Sequence, residues 1–331
     1  MLFSGIFAAA CFGRPAPVGE PAEPRPSQTP SALTPATVIP PSVTPAPTAA
    51  PSVTTTSPPT PAVLIAAGDI SSCGNDGDEA TAFLVEARDG TVAVLGDSVY
   101  NSGAPDEFAE CYEPTWGRFK DRTRPAVGNH EYLTPGAAGY FDYFGASAGE
   151  PGSGYYSYDL GAWHIVVINS QCWDVGGCSA DDPQALWLAA DLRDHPADCT
   201  LAYWHFPRFS SGLHGSSTLV RAYWDLLYEA GAEVVLTGHD HSYERFAPQG
   251  TEGEADPDRG IREFVVGTGG ASHYGFPLAL PNSEVRDSTT FGVLVLTLYE
   301  DSYEWEFVPT AGKTFRDQGS GVCHAASNFG G

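Results

Sequence analysis

The chain contains 331 residues, of which 42% are hydrophobic and 12% aromatic. This composition is typical of a folded protein, and the chain is long enough to bury a large core. Because only 16 Lys and Arg residues oppose 41 Asp and Glu residues, the formal net charge is −25. Such a charge repels nucleic-acid phosphates, so no nucleic-acid partner is expected. It does not exclude a small anionic substrate, because bound cations would reverse the sign locally.

The first 61 residues lack the pattern of a globular domain. Residues 1–13 are predicted to be a leader, since residues 2–10 are apolar but too few to span a bilayer. Cys11 follows three Ala residues that resemble a degenerate lipobox, so a lipidated Cys11 and an ordinary signal peptide both stay open. Residues 14–61 are mainly Pro, Thr, Ser and Ala, which predicts an extended tether. We therefore expect a secreted or extracytoplasmic protein, with lipidated Cys11 as a potential membrane tether.

Six of the seven Cys residues lie beyond the tether and form an even set. No two of them form a Cys-x-x-Cys motif, so a zinc ribbon is not expected. An even set behind a leader predicts disulfides and an oxidising compartment. Cys172 and Cys178 are the easiest pair to join, but six Cys allow 15 connectivities and the sequence does not choose among them. The six are Cys73, Cys111, Cys172, Cys178, Cys199 and Cys323.

Residues 62–316 are predicted to form one domain, followed by a tail at 317–331. Short apolar runs that predict buried strands lie at 63–67, 91–95, 163–168, 201–204 and 234–237. Helices are predicted near 78–88, 183–194 and 217–230. Further strands are predicted at 262–267, 291–298 and 302–308. The order indicates a mixed α/β fold whose later part is rich in β-structure.

Residues able to bind metal follow directly after most of the early strands. Asp69, Asp97 and His239 each come after a strand and a Gly. Ligand sites of α/β sheets form at this edge, and Gly allows the sharp turn that brings a side chain to the rim. We therefore expect these side chains to converge. The complete motifs are Gly68-Asp69, Gly96-Asp97-Ser98-Val99-Tyr100, Gly128-Asn129-His130-Glu131, Trp204-His205-Phe206-Pro207 and Gly238-His239-Asp240-His241.

This ordered set resembles the metallophosphoesterase (calcineurin-like) superfamily, and more closely its purple acid phosphatase branch. The resemblance covers most of residues 62–316. Tyr100, three residues after Asp97, matches the tyrosinate ligand of that branch, and residues 239–245 are similar to its last motif. Two features depart from it: Ser71 stands where the branch usually has Gly, and the N-terminal β-domain of the plant enzymes has no counterpart here.

The resemblance implies a four-layer α/β/β/α sandwich of two mixed sheets with two metal ions at their rim. Hard oxygen donors suit Fe(III), whereas imidazole and amide oxygen suit a divalent ion such as Zn, Mn or Fe(II). Such a pair activates water and stabilises both sides of an in-line displacement at phosphorus. The implied ligands are Asp69, Asp97, Tyr100 and His241 for the first ion, and Asn129, His205 and His239 for the second, with Asp97 bridging.

Two further His residues are expected to act in catalysis. His130 matches an outer-sphere His of the family, and His214 has the spacing of another, nine residues after His205. They would assist the leaving group and the charge of the transition state. His273 and Arg245 are additional candidates, and Glu131 is interpreted either as a residue that orients a ligand or as part of an unrelated salt bridge.

The predicted function is the hydrolysis of a small phosphate ester by a secreted phosphomonoesterase of acid phosphatase type. A phosphodiesterase acting on nucleotides or lipid headgroups is the alternative, because the same metal core serves both and pocket shape decides. A third hypothesis is a non-catalytic surface protein that keeps the fold.

Overall fold

The computed structural model describes residues 60–324. The predicted leader, the lipidation of Cys11, the tether up to residue 59 and the last seven residues of the tail lie outside the described residues. None of the helices between residues 60 and 324 combines the length and apolarity needed to cross a bilayer.

The described residues form 15 strands and five α-helices. The strands are β1 (Ala62–Ala67), β2 (Ser71–Ser72), β3 (Thr91–Leu95), β4 (Val99–Tyr100), β5 (Thr123–Ala126), β6 (Tyr156–Leu160), β7 (Trp163–Val167), β8 (Cys199–Tyr203), β9 (Val234–Thr237), β10 (Tyr243–Phe246), β11 (Arg262–Val266), β12 (Ser283–Asp287), β13 (Gly292–Leu298), β14 (Ser302–Pro309) and β15 (Gln318–Val322). The helices are α1 (Gly77–Glu86), α2 (Pro105–Glu107), α3 (Ala138–Phe144), α4 (Pro183–Asp194) and α5 (Arg221–Ala230).

Each strand and helix predicted from the apolar runs is present, with small shifts at the ends. The largest shift is in α5, which was expected near 217–230 but begins at Arg221. The backbone before Arg221 makes contacts outside the helix, since the Ser217 N–H donates to the Pro207 carbonyl. At the other end, Gly231 adopts a left-handed conformation with φ of 81° and ends the helix.

Two mixed sheets form the centre of the fold. The six-stranded sheet has the order β15-β14-β13-β1-β3-β5, and the seven-stranded sheet has the order β12-β10-β11-β9-β8-β7-β6. In the first, β1 pairs in parallel with β3 and antiparallel with β13. The predicted α/β/β/α class is confirmed.

Alternating side chains of β7 show how the layers are held together. Ile165 and Val167 belong to a buried cluster with residues from both sheets, including Leu64 of β1. Val166 faces the other way, into a cluster that contains Leu188 of α4 and Trp224 of α5. Because strand side chains alternate between faces, one apolar strand packs against the other sheet and against the helices at once.

Parallel pairing brings the carboxyl ends of the strands, which precede the candidate ligands, to one edge of each sheet. In the first sheet β1, β3 and β5 run in parallel, and in the second sheet β7, β8, β9 and β11 do so. The carboxyl ends of parallel strands lie at the same edge of a sheet. Asp69, Asp97 and Asn129 therefore emerge from one sheet where His205 and His239 emerge from the other.

Three disulfides join the six Cys residues that follow the tether. The predicted Cys172–Cys178 bond is present, together with Cys73–Cys111 and Cys199–Cys323. Cys199 begins β8, while Cys323 follows β15. Strand β15 pairs with β14, so the ordered sheet continues beyond residue 316, the predicted end of the domain.

Loss of the Cys199–Cys323 bond should destabilise the protein more than loss of the Cys172–Cys178 bond. Cys199 and Cys323 are 124 residues apart in sequence, whereas Cys172 and Cys178 are only 6 apart. In the chain-entropy account, the long loop restricts the unfolded chain more, so replacing both Cys199 and Cys323 with Ala should cost about 3 kcal/mol more than replacing Cys172 and Cys178. Denaturant unfolding of the two double variants measures this, and an equal or reversed order would contradict it.

Candidate metal centre

The Tyr100 hydroxyl lies at the centre of the first group of donors. It is 2.8 Å from Asp69 Oδ1, 3.0 Å from Asp97 Oδ2 and 3.0 Å from His241 Nε2. His241 Nε2 is in turn 3.2 Å from Asp69 Oδ1. All four residues are buried. These four donors thus point at one small volume, and they are the four predicted for the first ion.

A second group of donors shares the Asp97 oxygen with the first. His205 Nε2 lies 3.2 Å from Asp97 Oδ2 and 3.0 Å from Asn129 Oδ1. The His239 ring packs edge-on against His205 with ring centroids 5.1 Å apart. Asp97 Oδ2 therefore belongs to both groups, which is the position that a bridging ligand requires. The structure brings together all seven predicted ligands, and their metal binding itself stays a prediction.

Each Asp uses one carboxylate oxygen for the site and the other for the loops around it. Asp69 Oδ2 accepts the N–H of His239, which links the two sheets, while Asp69 Oδ1 faces Tyr100. Asp97 Oδ1 accepts the N–H of His130, while Asp97 Oδ2 is the shared oxygen. These hydrogen bonds orient the carboxylates before any ion is bound.

The two best-placed imidazoles are oriented in the same manner. His205 Nδ1 donates to the Leu95 carbonyl at 2.9 Å, and His241 Nδ1 lies 2.6 Å from Ser272 Oγ. Nε2 of each ring is left to face the carboxylates. Metal-binding His residues are normally held in this way through their second nitrogen.

Three ligands adopt a backbone conformation that only Gly tolerates well. Asp69, Asp97 and His239 have φ of 59°, 47° and 71°. Non-Gly residues in this left-handed region are strained, and such strain concentrates at functional sites. The loop at Gly128 also has no room for a side chain: a Cβ atom there would lie 2.2 Å from Asp97 Oδ1 and 2.3 Å from the Asp97 backbone nitrogen. Gly is therefore required at this position for close approach of the loop.

The buried Glu131 side chain holds together the loop that carries Asp97 and the loop that carries Asn129. Its carboxylate accepts backbone N–H groups from Asp97 at 3.1 Å, Ser98 at 2.6 Å and Gly128 at 2.7 Å. Burial, followed by the charge of Asp97, raises the pKa of Glu131 to about 7. Of the two interpretations of Glu131, the structure supports a residue that orients ligands, since its side chain contacts the loops and makes no salt bridge within residues 60–324.

The protein's own charges favour ionised Asp97 and charged His205. Burial raises the pKa of Asp97, but the charge of His205 and its hydrogen bond outweigh burial and hold that pKa below its usual range. Burial lowers the pKa of His205, and Asp97 more than compensates, raising it to about 9. An ion bound at His205 would therefore have to displace the proton that Asp97 stabilises there.

Tyr100 and His239 are pushed toward their neutral forms. Burial, and then the charges of Asp69 and Asp97, raise the pKa of the Tyr100 phenol well above its usual value. Burial and the charge of His205 lower the pKa of His239 to about 3. A neutral imidazole is the form that binds metal, whereas phenolate formation at Tyr100 requires a strong local positive charge.

The donor set fits a pair of metal ions. Carboxylate and phenol oxygens dominate one group, whereas imidazole and amide oxygen dominate the other, as a hard ion beside a softer ion requires. No Lys or Arg side chain within residues 60–324 forms a hydrogen bond or ion pair with these ligands, so cations are the natural counter-charge for Asp69 and Asp97.

The two predicted catalytic His residues lie beside the donors and reach solvent. His130 packs on Tyr100 with ring centroids 4.4 Å apart, and its Nδ1 is 2.5 Å from the Asn101 carbonyl. His214 packs on His239 at 4.4 Å. The side chains of His130 and His214 are 30% and 40% exposed, so both rings reach solvent.

Sequence reasoning missed Asp240, which holds His214 in place. Asp240 is fully buried and accepts the His214 N–H at 2.8 Å, with His214 Nδ1 at 3.1 Å. Its other oxygen accepts the Ser210 hydroxyl at 2.5 Å. An Asp between two His ligands in the motif was the available signal, but its partner lies 26 residues away in the chain.

Tyr274 was also missed, and two weaker candidates lie outside the site. Tyr274 stacks on the ligand candidate His241 with ring centroids 4.1 Å apart. His273 instead stacks on Phe291 at 4.0 Å. Arg245 is engaged by Asp317 at 2.7 Å, which makes it unsuited to contact phosphate.

Comparison with known proteins agrees with this geometry. Residues 53–243 match the calcineurin-like phosphoesterase family, so the match covers more than half of the chain. The chain belongs to this family. The curated relatives include purple acid phosphatases, which confirms the resemblance seen in the motifs. Purple acid phosphatase 21 of Arabidopsis thaliana is 30% identical over 259 residues, covering 69% of this chain and 55% of that protein.

Solved structures share the fold at low sequence identity. Purple acid phosphatase PPD1 from yellow lupin superposes with a TM-score of 0.62 at 16% identity, covering 80% of this chain and 54% of that one. GAP50, the anchor in the inner membrane complex of Plasmodium, gives 0.60 at 14% identity, covering 82% and 91%. The chain spans about half or less of the length of the curated relatives that it matches.

Glu131 provides a test of how the acidic loops are held. Replacing it with Gln puts an N–H₂ group against backbone donors in a buried place, so Glu131→Gln should lower the free energy of unfolding by about 1–3 kcal/mol. Metal content should fall with it. Glu107 is the matched control, because it accepts three backbone N–H groups at a more accessible position. Denaturant unfolding should show a smaller loss of unfolding free energy for Glu107→Gln. Equal losses in the two variants would contradict the role of Glu131 in holding the loops.

Proposed function

We propose that this protein is a dinuclear-metal phosphomonoesterase of acid phosphatase type that acts outside the cytoplasm. The observation that carries the proposal is the Asp97 carboxylate, whose Oδ2 lies within 3.2 Å of donors from both ligand groups. A single oxygen shared by two groups is suited to two neighbouring cations. Family membership and the named phosphatase relatives support phosphoester hydrolysis as the reaction.

The first group would hold a ferric ion and the second a divalent ion, Zn, Mn or Fe(II). Asp69, Asp97, Tyr100 and His241 form the first group, and Asn129, His205 and His239 complete the second around Asp97. When bound, such a pair activates a water molecule and neutralises charge on the phosphoryl group. The protein's part is to hold the donors rigidly and to exclude competing cationic side chains.

His130 and His214 would act on the substrate from the open side. Each ring has Nδ1 held, by the Asn101 carbonyl and the Asp240 carboxylate. Nε2 of His130 lies 3.9 Å from Asp97 Oδ2, so the two Nε2 atoms would be the ones to meet the ester. The leaving alkoxide needs a proton and the phosphoryl oxygens need hydrogen bonds in the transition state. Asp240 restricts His214 to one orientation and is a positioning residue for it.

Substrate class and location follow from charge and covalent structure. The net charge of −25 disfavours polyanionic partners such as nucleic acid, while a small ester could be neutralised by the bound ions. The three disulfides fit an oxidising compartment. Residues 14–61 would then hold the domain away from the cell envelope, with lipidated Cys11 as the anchor or with the leader removed.

A panel of esters with a ligand variant tests the proposal. The purified protein should release phosphate from 4-nitrophenyl phosphate faster than it cleaves bis(4-nitrophenyl) phosphate. Asn129→Ala should remove the second ion and lower turnover by at least 10²-fold, because the bound ion supplies much of the rate. Gln318→Ala is the control, since that exposed amide side chain lies in β15 and forms no hydrogen bond within residues 60–324.

The outcomes separate the three functional hypotheses. Faster cleavage of the diester would replace the monoesterase proposal with the phosphodiesterase. No turnover with both ions bound would favour the non-catalytic surface protein. Equal activity and metal content in Asn129→Ala and the native protein would refute the ligand assignment.

Tyr100 offers a separate test of the ferric ion. A Tyr100 phenolate on Fe(III) absorbs visible light by charge transfer, so the iron-loaded protein should be coloured and Tyr100→Phe should lose the band and bind iron more weakly. Tyr112→Phe is the control, because Tyr112 is also buried and its hydroxyl has no hydrogen-bond partner among residues 60–324. A visible band that survives in Tyr100→Phe, or that is absent from the iron-loaded native protein, would move the protein out of the purple acid phosphatase branch. The two-ion hydrolase would stand.

A further inference from the structure

A second cluster of metal-capable side chains lies apart from the candidate centre. It consists of His164 in β7, Asp191 in α4 and His195 directly after α4. One donor atom from each residue lies within 4.8 Å of the other two. His164 and Asp191 are buried, whereas the His195 side chain is 56% exposed. The cluster therefore combines fixed donors with an opening to solvent.

The cluster is at the opposite end of the second sheet. His164 pairs in register with Thr200 of β8, five residues before His205. At a strand rise of about 3.3 Å per residue, this places it about 16 Å from the candidate metal centre. The two groups of donors cannot share an ion.

The spacing of the donors suits one tetrahedral ion. Asp191 Oδ2 lies 2.8 Å from His164 Nε2, and Asp191 Oδ1 lies 3.2 Å from His195 Nδ1. Ligand atoms about 2.0–2.2 Å from a tetrahedral zinc are about 3.3 Å apart. Binding would therefore draw the three donors together from within 4.8 Å and turn His195 Nδ1 away from the Asp191 carbonyl oxygen, which lies 3.1 Å from it. The His164 and His195 rings are nearly parallel with centroids 5.3 Å apart, whereas His205 and His239 in the candidate centre meet edge-on at 5.1 Å.

The surroundings of the cluster orient its donors. His164 Nδ1 lies 3.2 Å from Asp159 Oδ1, which leaves Nε2 to face Asp191. The Ser157 hydroxyl donates to Asp191 Oδ1 at 2.7 Å. A carboxylate on the far nitrogen of a His and a hydrogen bond to the ligating carboxylate are the usual supports of a metal site. His195 follows the last residue of α4, where its backbone leaves the helical conformation, and its Nδ1 lies beside the Asp191 carboxylate.

We propose that His164, Asp191 and His195 bind a divalent cation of the zinc class that pins the end of α4 to strand β7. Two imidazoles and one carboxylate select zinc or a similar borderline ion over Mg²⁺ and Ca²⁺, which prefer all-oxygen sites. A solvent molecule at the exposed side would complete the coordination. The ion would be structural, and hydrolysis at the distant centre would not need it.

Counting zinc in matched variants tests the proposal. The full chain is stripped with a chelator, reloaded with Zn²⁺ and freed of excess metal, and zinc per chain is then measured by mass spectrometry. His195→Ala should hold one zinc fewer than the native protein, whatever the native total, and keep its phosphatase activity. Its Zn²⁺-dependent rise in Tm should also be smaller. His324→Ala is the control, because His324 is a partly exposed His beside a single carboxylate, that of Glu233, at 3.7 Å.

A second variant guards against an indirect effect of the first. Asp159→Asn keeps all three ligands and should weaken zinc binding at this site about 10-fold or more. Equal zinc counts in the native protein and His195→Ala would overturn the proposal, and so would loss of zinc that is equally large in His324→Ala. When the stripped protein is reloaded with Mg²⁺ instead, this cluster should bind no ion. These results do not depend on whether the distant centre hydrolyses phosphate esters.

Discussion

Two carboxylates, those of Asp69 and Asp97, lie buried within hydrogen-bond reach of one phenol, and the charge of each disfavours ionisation of the other. Leaving such charges unpaired in a dry interior would be costly. His205 and His241 relieve part of this cost, and bound cations would relieve the rest. The surrounding fold is arranged to keep these charges close despite their repulsion.

The fold achieves this by joining the edges of its two sheets. Asp69 emerges from one sheet and accepts the His239 N–H of the other, while His205 reaches back to the Leu95 carbonyl. Left-handed backbone at three ligands lets side chains turn inward directly after the strands. Because the strands behind them are packed on both faces, the rim cannot relax, and the strain at the site is maintained by the core.

Buried carboxylates lie beside imidazoles both at the candidate metal centre and at the cluster of His164, Asp191 and His195, but the two groups suit different roles. At the candidate centre, two carboxylates, a phenol and open His side chains surround a volume that faces solvent, which suits chemistry on a bound ester. At His164, Asp191 and His195, one carboxylate lies between two imidazoles at the end of a helix. That arrangement has few open positions and lies far from the ester site, which suits a structural ion. Charge density alone therefore does not identify a reactive centre, whereas access and the number of donors do.

The sequence by itself determined the main strands and the positions of the candidate ligands that follow them. Each apolar run predicts a buried strand, and the position of Asp69, Asp97 or His239 after a strand and a Gly places each at the sheet edge. Local sequence carries this information because strand burial and Gly conformations are properties of short segments. Tertiary structure alone decided which distant groups meet. The Cys199–Cys323 bond, the clamp of Glu131 on three backbone N–H groups and the contact of Asp240 with His214 all join segments whose separation depends on how the two sheets pack.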